Sequence, residues 1–349
     1  MKHVAIVGFG KLGLLHTGVF NALPDWKVGF IVDTSSTMLS MLKSKMPQIQ
    51  TFGSHTELLA KHGAEIRAAV IATPSQTHVP IALDFAQQNI PMLIEKPLSI
   101  SADQAEPLVD LVNKNSLVNR VGYMSRFIPL FSKAKSILSS EALGRLQSLR
   151  ITMYIGQLFL KGKGWRYSKE ASGGGVLITQ NSHLLDLLTW LLGDVAWVSA
   201  QEKRLYSTDV EDEMHCYFGF KSGLTGFLDS SWSKRHHRTL TMSIEIQGEN
   251  GTLSVSEDDL QVFLSESHAG LASGWTNFKK PDVFKGVFFD VAGPQYSLQA
   301  EEFIRAVDGT PINEIQGANF QSSLNVQRTV DAIYRSATLR GQPIDIKLN

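Results

Sequence analysis

The chain has 349 residues, 43% of them hydrophobic and 19% charged, and its 33 Lys and Arg residues balance 33 Asp and Glu residues. This length exceeds the size at which one hydrophobic core keeps growing, so we expect two domains. The balanced charge argues against nucleic acid or an anionic membrane as a partner and favours a small molecule. The single cysteine, Cys216, cannot form an internal disulfide, and no Cys/His spacing typical of zinc sites occurs, so we expect no metal.

The chain begins MKHVAIVGFGKLGLL, a basic residue before an apolar run, as in a signal peptide. Glycines and Lys11 interrupt the run, and no small-residue cleavage site follows. No stretch approaches the roughly 18 apolar residues of a membrane-spanning helix. We therefore expect a soluble, cytoplasmic protein.

Short β-rich apolar runs alternate with helical patterns as far as residue 122. Parallel strands need crossover connections, so this alternation predicts an α/β domain over 1–122, a doubly wound parallel sheet with helices on both faces. The predicted strands are 3–7, 28–32, 68–72, 91–94 and 117–121, and the predicted helices are 11–22, 34–45, 75–88 and 101–115.

The pattern changes after Tyr123, where strand patterns follow one another without intervening helices. Such runs predict a second, α+β domain over 123–349 with a mostly antiparallel sheet. The last helix could pack back on the first domain. The predicted elements are helices at 128–139, 297–308 and 319–338, a long strand at 146–155, and hairpins within 211–233 and 243–255.

The first predicted strand runs directly into GFGKLG, which has the GxGxxG spacing. The first glycine permits a tight turn, the second lets the backbone approach a pyrophosphate, and the third allows close packing of the helix whose N-terminus faces the phosphates. Asp33 ends the second strand, where an acid can bind both ribose hydroxyls and repel a 2′-phosphate. We therefore expect NAD, with NADP left open by the hydroxyls of residues 34–36. The predicted contacts are Gly8, Phe9, Gly10, Lys11, Leu12, Gly13 and Asp33.

Two later strands also end in polar residues, at the edge where open α/β sheets bind ligands. Lys96 is the more specific candidate for a binding residue, because it follows an apolar strand at the sheet edge and Pro97 ends that strand. The alternative is that Lys96 is simply the first solvated residue after a buried strand. The further cofactor contacts predicted here are Thr73, Pro74, Ser75, His78, Glu95, Lys96 and Pro97.

The segment SGGGVLITQNSHLLD places three glycines before a leucine-rich helical pattern. At about 100° per residue, Thr179, His183 and Asp186 share one stripe while leucines cover the rest. Such a polar stripe on a buried helix marks a candidate site.

The motifs GFGKLG, ATPSQTH, EKP, GYMSRF, SGGGVL and HLLD occur in this order, with Asp33 after the first. Together they resemble the oxidoreductase family of glucose-fructose oxidoreductase and myo-inositol dehydrogenase (Gfo/Idh/MocA) over nearly the whole chain. The resemblance implies an N-terminal Rossmann domain, a substrate-binding and oligomerisation domain with an open, mostly antiparallel sheet, and an active site between them. It maps a family lysine onto Lys96 and a family histidine onto His183. Many members carry an acid four residues before that histidine, where this chain has Thr179.

Oxidation of a secondary alcohol requires a base for the hydroxyl proton and a donor or cation for the developing alkoxide. Histidine, with an ordinary pKa of about 6.5, exchanges protons near neutral pH, whereas lysine stays mostly protonated. We therefore predict His183 as general acid/base and Lys96 as electrostatic stabiliser, although the two roles could be exchanged. The alternative is that His183 is a core histidine whose hydrogen bonds are satisfied within the protein, and that Asp186 bonds a backbone group.

The remaining candidates lie near the domain junction and in one loop. The resemblance places Arg126 near the nicotinamide, although an arginine there could simply bridge domains. Tyr123, Trp165, Arg166 and Thr179 join Lys96 and His183 as predicted substrate contacts, with an ordinary surface loop as the alternative for Trp165 and Arg166. The cluster KRHHR at 234–238 is interpreted as a solvated loop.

These observations predict an NAD(P)-dependent oxidoreductase acting on a secondary hydroxyl or ketone of a sugar, polyol or sugar derivative. Two alternatives remain open, an NAD-dependent glycosidase of the same fold and a non-catalytic dinucleotide-binding regulator. The resemblance implies a homo-oligomer, dimer or tetramer, and self-association is one common way for an open sheet to cover a face.

Overall fold

The structure is a computed structural model that describes residues 1–284, 286–291, 293–311 and 315–347. It divides into two compact units. The first comprises Met1–Met124 and Gly286–Leu324, and the second comprises Ser125–Lys285 and Asn325–Asn349. The division differs from the predicted boundary after residue 122, because residues 286–324 join the first unit.

The helices and strands follow the predicted order, with several additional elements between the predicted ones. The strands are β1 Lys2–Val7, β2 Trp26–Val32, β3 Gln50–Phe52, β4 Ile66–Ile71, β5 Met92–Ile94, β6 Asn119–Val121, β7 Leu146–Tyr154, β8 Val195–Lys203, β9 Glu213–Phe220, β10 Thr225–Ser231, β11 Thr241–Gly248, β12 Gly251–Ser256, β13 Asp259–Leu264, β14 Gly274–Lys279 and β15 Ile344–Asp345. The helices are α1 Lys11–Ala22, α2 Ser36–Lys45, α3 His55–His62, α4 His78–Gln87, α5 Ala102–Lys114, α6 Pro129–Ser139, α7 Lys169–Ser172, α8 Ser182–Leu192, α9 Gln295–Val307 and α10 Phe320–Thr338.

The first unit is built on a six-stranded sheet in the order β3-β2-β1-β4-β5-β6, with every pairing parallel. The strand order reverses between β1 and β4, so the carboxyl ends of these two strands frame the crevice in which such sheets bind ligands. The predicted doubly wound parallel sheet is therefore confirmed.

Helix α9 belongs to the core of this first unit. Phe303 on α9 meets Phe20 on α1 edge to face, with ring centroids 6.5 Å apart. Both rings are fully buried in a cluster that also contains Trp26. Burial of this aromatic surface explains why a segment so late in the chain packs with the first residues.

The second unit is built on a nine-stranded sheet in the order β14-β13-β12-β11-β7-β10-β9-β8-β15. Only β7 and β10 pair in parallel, and every other pairing is antiparallel, which confirms the predicted open, mostly antiparallel sheet. Because β7 and β10 run in the same direction, the loops after Tyr154 and Ser231 leave the sheet at the same edge.

Candidate active site

The glycine motif forms a turn that side chains would block. Gly8 has φ +91°, and a Cβ there would lie 2.7 Å from the Ala72 carbonyl oxygen. A Cβ on Gly13 would lie 2.0 Å from the Gly8 oxygen, so α1 packs directly against the turn. At Gly10, by contrast, a Cβ would meet no described atom within 4 Å. The turn is therefore closed on the protein side and open on the other, a cradle that fits a pyrophosphate at a helix N-terminus.

Asp33 follows β2 and is tied to this turn. Its Oδ2 accepts a hydrogen bond from the Phe9 N–H at 2.8 Å, and its Oδ1 accepts one from the Ser35 N–H at 2.8 Å. The carboxylate is half-buried, so lone pairs remain for ribose hydroxyls. The Ser35 hydroxyl is used as the N-cap of α2, where it accepts from the Met38 N–H. The residues present thus fit a dinucleotide with free ribose hydroxyls.

The loop after β4 is held by the buried side chain of His78. Its Nδ1 lies 2.7 Å from the Pro97 oxygen and its Nε2 lies 2.8 Å from the Thr73 oxygen. Burial lowers the pKa of His78, and the contacts with the two carbonyls offset part of that effect. The buried His78 side chain therefore links the loop after β4 to the loop after β5. Pro74 is exposed, whereas Ser75 is buried.

Glu95, Lys96 and Pro97 directly follow β5. The Glu95 N–H bonds the Ile71 oxygen, which keeps the chain in register with β4 up to the last residue before Lys96. Glu95 and Pro97 are buried and Lys96 is half-buried. Tyr123, just beyond β6, is buried as well.

The predicted residues of the first unit therefore follow five strands at one sheet edge, the carboxyl edge. A cavity of about 500 Å³ lies elsewhere, at the amino ends of the strands, where His3, Val28 and Gln50 line it. That cavity is at the opposite edge from Gly8 and Asp33.

In the second unit, Gly174 and Gly175 are required by a buried carboxylate and a tyrosine. Glu211 accepts hydrogen bonds from the N–H groups of Gly175 and Leu177, at 2.8 and 2.9 Å, and from the Tyr334 hydroxyl at 2.9 Å. A Cβ on Gly174 would lie 1.9 Å from the Tyr334 hydroxyl oxygen, and one on Gly175 would lie 1.9 Å from the Glu211 carbonyl oxygen. Burial raises the pKa of Glu211. The sequence did not single out Glu211, because four acidic residues crowd into DVEDE without a local signal for the buried one.

The leucine-rich helix begins with a π-turn over Leu177–Asn181, and α8 continues from Ser182. A π-turn winds more slowly than the expected 100° per residue, so the predicted polar stripe is not regular. The Thr179 hydroxyl donates to the Gly175 oxygen at 2.6 Å, and His183 is half-buried in the first turn of α8. Asn181 Nδ2 donates to Ser230 Oγ at 2.6 Å, which fixes this turn to the end of β10.

Asp186 is fully buried and bonds a side chain rather than a backbone group. Its carboxylate receives the Nε–H and an Nη2–H of Arg126. In the predicted polar stripe, His183 is therefore half-buried, and Asp186 belongs to an interior ion pair. The predicted cofactor contact of Arg126 stays a prediction.

Trp165 and Arg166 lie on a short 3-10 turn and are exposed, with the guanidinium 5.6 Å above the indole ring. The same edge of the sheet carries the KRHHR loop, in which Arg235 stacks over Phe159 at 4.9 Å. The Gly156 N–H donates to the His237 oxygen. This hydrogen bond joins the loop after β7 to the KRHHR loop after β10.

These features define an oxidoreductase with an NAD-binding Rossmann domain. Residues 2–123 match the family model described as "Oxidoreductase family, NAD-binding Rossmann fold", and residues 131–254 match the "GFO/IDH/MocA C-terminal domain". The chain belongs to the Gfo/Idh/MocA family of oxidoreductases, as its motifs predicted.

Named relatives extend this comparison. Levoglucosan dehydrogenase of Pseudarthrobacter phenanthrenivorans is 26% identical over 76% of this chain and 77% of its own length. The scyllo-inositol 2-dehydrogenase (NAD(+)) of Bacillus subtilis is 24% identical over 72% of both chains. A structure of levoglucosan dehydrogenase in complex with NADH superimposes over 100% of both chains with a TM-score of 0.86 at 21% identity, which shows a shared fold. In the part of the chain that the structure describes, no helix is both long and apolar enough to cross a membrane.

Proposed function

We propose that this enzyme transfers a hydride between NAD and a secondary hydroxyl or ketone of a sugar, polyol or sugar derivative. The observation that carries the proposal is the shared edge of one parallel sheet, where the open glycine turn, Asp33 and Lys96 follow β1, β2 and β5. The relatives support the substrate class, since their names specify an anhydrosugar and a cyclitol.

NAD, when bound, supplies the hydride acceptor or donor. The N–H groups around Gly10 bind the pyrophosphate, and Asp33 binds the ribose hydroxyls and disfavours a 2′-phosphate. In this assignment NAD is preferred to NADP.

His183 acts as general acid/base on the substrate hydroxyl, and the Lys96 ammonium stabilises the oxygen as it gains charge. The position of His183 supports this role, because the side chain is half-buried on a turn anchored by Asn181 and Ser230. Tyr123, Trp165, Arg166 and Thr179 complete the proposed substrate contacts. The aromatic face of Trp165 beside a guanidinium suits a sugar ring with its hydroxyls.

A panel of polyols, free sugars and glycosides, each incubated with NAD, tests this function. Net formation of NADH with a polyol or sugar supports hydride transfer. Cleavage of a glycoside without net NADH would instead identify an NAD-dependent glycosidase. Lys96→Met and His183→Asn are each expected to lose at least about a hundredfold in turnover, and His183→Asn is expected to bind NAD with the affinity of the parent enzyme. Parent-like turnover in either variant would contradict that residue's role.

We also propose that the enzyme self-associates through the outer face of the second unit's sheet. On that face Tyr217 and Phe227 stack at 4.5 Å, while Phe227 and Trp275 are 62% and 64% exposed. Exposed aromatic patches mark interaction surfaces, and a second copy of the same sheet is complementary to this one. Sedimentation velocity of Phe227→Lys should show more monomer than the parent, whereas Leu205→Lys, on an exposed loop residue, should not. A monomeric parent protein would refute this assembly.

A further inference from the structure

A histidine and a glutamate form a buried pair directly behind Lys96. His16 lies on α1 and Glu95 is the first residue after β5. Their side chains meet with Nε2 and Oε1 2.7 Å apart, and the two residues are only 1% and 5% exposed. The predicted roles of the site do not use His16 at all.

The structure closes tightly around the Glu95 carboxylate. Gly122 faces it, and a Cβ at that position would lie 3.0 Å from Oε2. Burial by itself would raise the pKa of Glu95. The hydrogen bond and charge of His16, followed by the charges of Lys96 and His78, outweigh burial and bring the pKa below its usual value. Glu95 is therefore a carboxylate at neutral pH.

Among the described residues, the one hydrogen-bond partner of the His16 ring is Glu95. Two aromatic rings, Phe20 and Tyr296, also lie near it at centroid distances of 6.3 Å each. Its Nδ1 has no hydrogen-bond partner among the residues that the structure describes. A buried pair of this kind is weak evidence for stability, since apolar residues of similar volume often serve as well. The pair therefore needs an explanation other than stability. Glu95 directly precedes Lys96 in the chain, which suggests one.

We propose that His16 and Glu95 are positioning residues for Lys96. The His16 hydrogen bond holds the Glu95 carboxylate in place, and that carboxylate keeps the adjacent lysine charged and directed out of the sheet edge. The proposal rests on the proposed function in one respect, namely that Lys96 acts on the substrate oxygen as a cation.

The physical reason is the sign of the neighbouring charge. An opposite charge nearby favours the ammonium form of a lysine, while burial favours the neutral amine. The charged or titratable groups around the Glu95 carboxylate are His16 from α1, His78 from α4 and Lys96 itself. Tyr296 from α9 meets the histidine ring edge to face. Loss of the carboxylate charge therefore removes the negative group beside Lys96, and burial then favours the neutral amine.

The direct test measures the titration of Lys96 without any substrate. Acetic anhydride acetylates only the neutral amine, so mass spectrometry of the Lys96 peptide across a pH series reports the pH of half-maximal labelling in the full-length protein. Glu95→Gln, which is nearly isosteric, should lower that pH by about one unit. His16→Phe should shift it in the same direction, because a buried carboxyl without a donor takes up a proton. His16→Gln, which retains a donor at the same reach, should restore most of the parent behaviour.

The matched control is His55→Asn, which breaks another histidine–carboxylate pair of the first unit, with Asp84 at 2.8 Å. It should leave the labelling of Lys96 unchanged. Labelling of Glu95→Gln at the parent pH would overturn the proposal, and the two conservative variants decide the matter if His16→Phe does not fold. The outcome is separable from the proposed function, since that depends on turnover of Lys96→Met whereas this test depends on the labelling of Lys96.

Discussion

The guanidinium of Arg126 and the carboxylate of Asp186 form a two-point ion pair in the interior of the second unit. Nε lies 2.8 Å from Oδ2 and Nη2 lies 2.6 Å from Oδ1. Burial raises the pKa of Asp186, and the charge and hydrogen bonds of Arg126 oppose that effect. Asp186 follows His183 by three residues on α8, so the pair fixes the turn of the helix that carries the proposed acid/base.

Asp186→Asn should destabilise the protein strongly, because it leaves the buried Arg126 cation without a counter-charge. We expect the free energy of unfolding to fall by about 3–5 kcal/mol, measured by urea denaturation. The control is Glu249→Gln, which breaks an ion pair with Arg145 in which both side chains are exposed. That change should cost less than about 1 kcal/mol. Equal urea midpoints for the two variants would show that the interior pair adds nothing.

Asp33→Asn should weaken the preference for NAD over NADP. The amide removes the charge that repels a 2′-phosphate, and it keeps only one oxygen for the Phe9 and Ser35 N–H groups. We expect the ratio of the two dissociation constants to shift toward NADP by about tenfold, or about 1.4 kcal/mol. Quenching of protein fluorescence by each cofactor measures both constants. Asp84→Asn, on α4, should leave the ratio unchanged, and a similar ratio in Asp33→Asn would mean that the carboxylate does not select the cofactor.

Several elements with a pronounced apolar run could be predicted from the sequence, whereas elements with few apolar residues could not. Helix α1 spans the predicted 11–22, and α10 begins one residue after its predicted start. The missed β3 has three residues, only one of them buried, and the missed α3 buries only Leu58 and Leu59. Elements with so few apolar residues have no periodicity to detect.

The residues of the candidate site likewise fall into those that the sequence predicts and those that it does not. Gly8, Gly10, Gly13 and Asp33 carry a local spacing whose physical reason can be stated beforehand. His16 does not, because its partner lies 79 residues further along the chain and only the folded sheet brings the two together. The packing of 286–324 with the first unit depends likewise on contacts between distant segments.

His78 should make the protein sensitive to acid. Burial holds its pKa in the folded state below the ordinary value of 6.5. Below pH 6.5 the unfolded chain therefore binds more protons at this position than the folded one, so the free energy of unfolding falls as the pH falls, until the folded pKa is reached. His78→Gln should remove up to about 1.4 kcal/mol per pH unit of this slope. Urea unfolding at several pH values between about 7 and 5 measures the difference between parent and variant. Parallel curves would show that His78 titrates alike in both states.

Thr179→Asp tests whether a charge at this position controls His183. The Thr179 hydroxyl donates to the Gly175 oxygen at 2.6 Å, and it cannot stabilise a cationic histidine with a full negative charge. A carboxylate four residues before His183 should hold the proton of the imidazole to higher pH. In the direction of ketone reduction, where the proposed role has His183 donate that proton, the alkaline limb of the pH–rate profile should move up by about one unit. Thr179→Asn has the same shape as the aspartate but no charge and still offers an N–H to the Gly175 oxygen, so its profile should match that of the parent. If the aspartate variant keeps the parent profile too, the two side chains are not coupled.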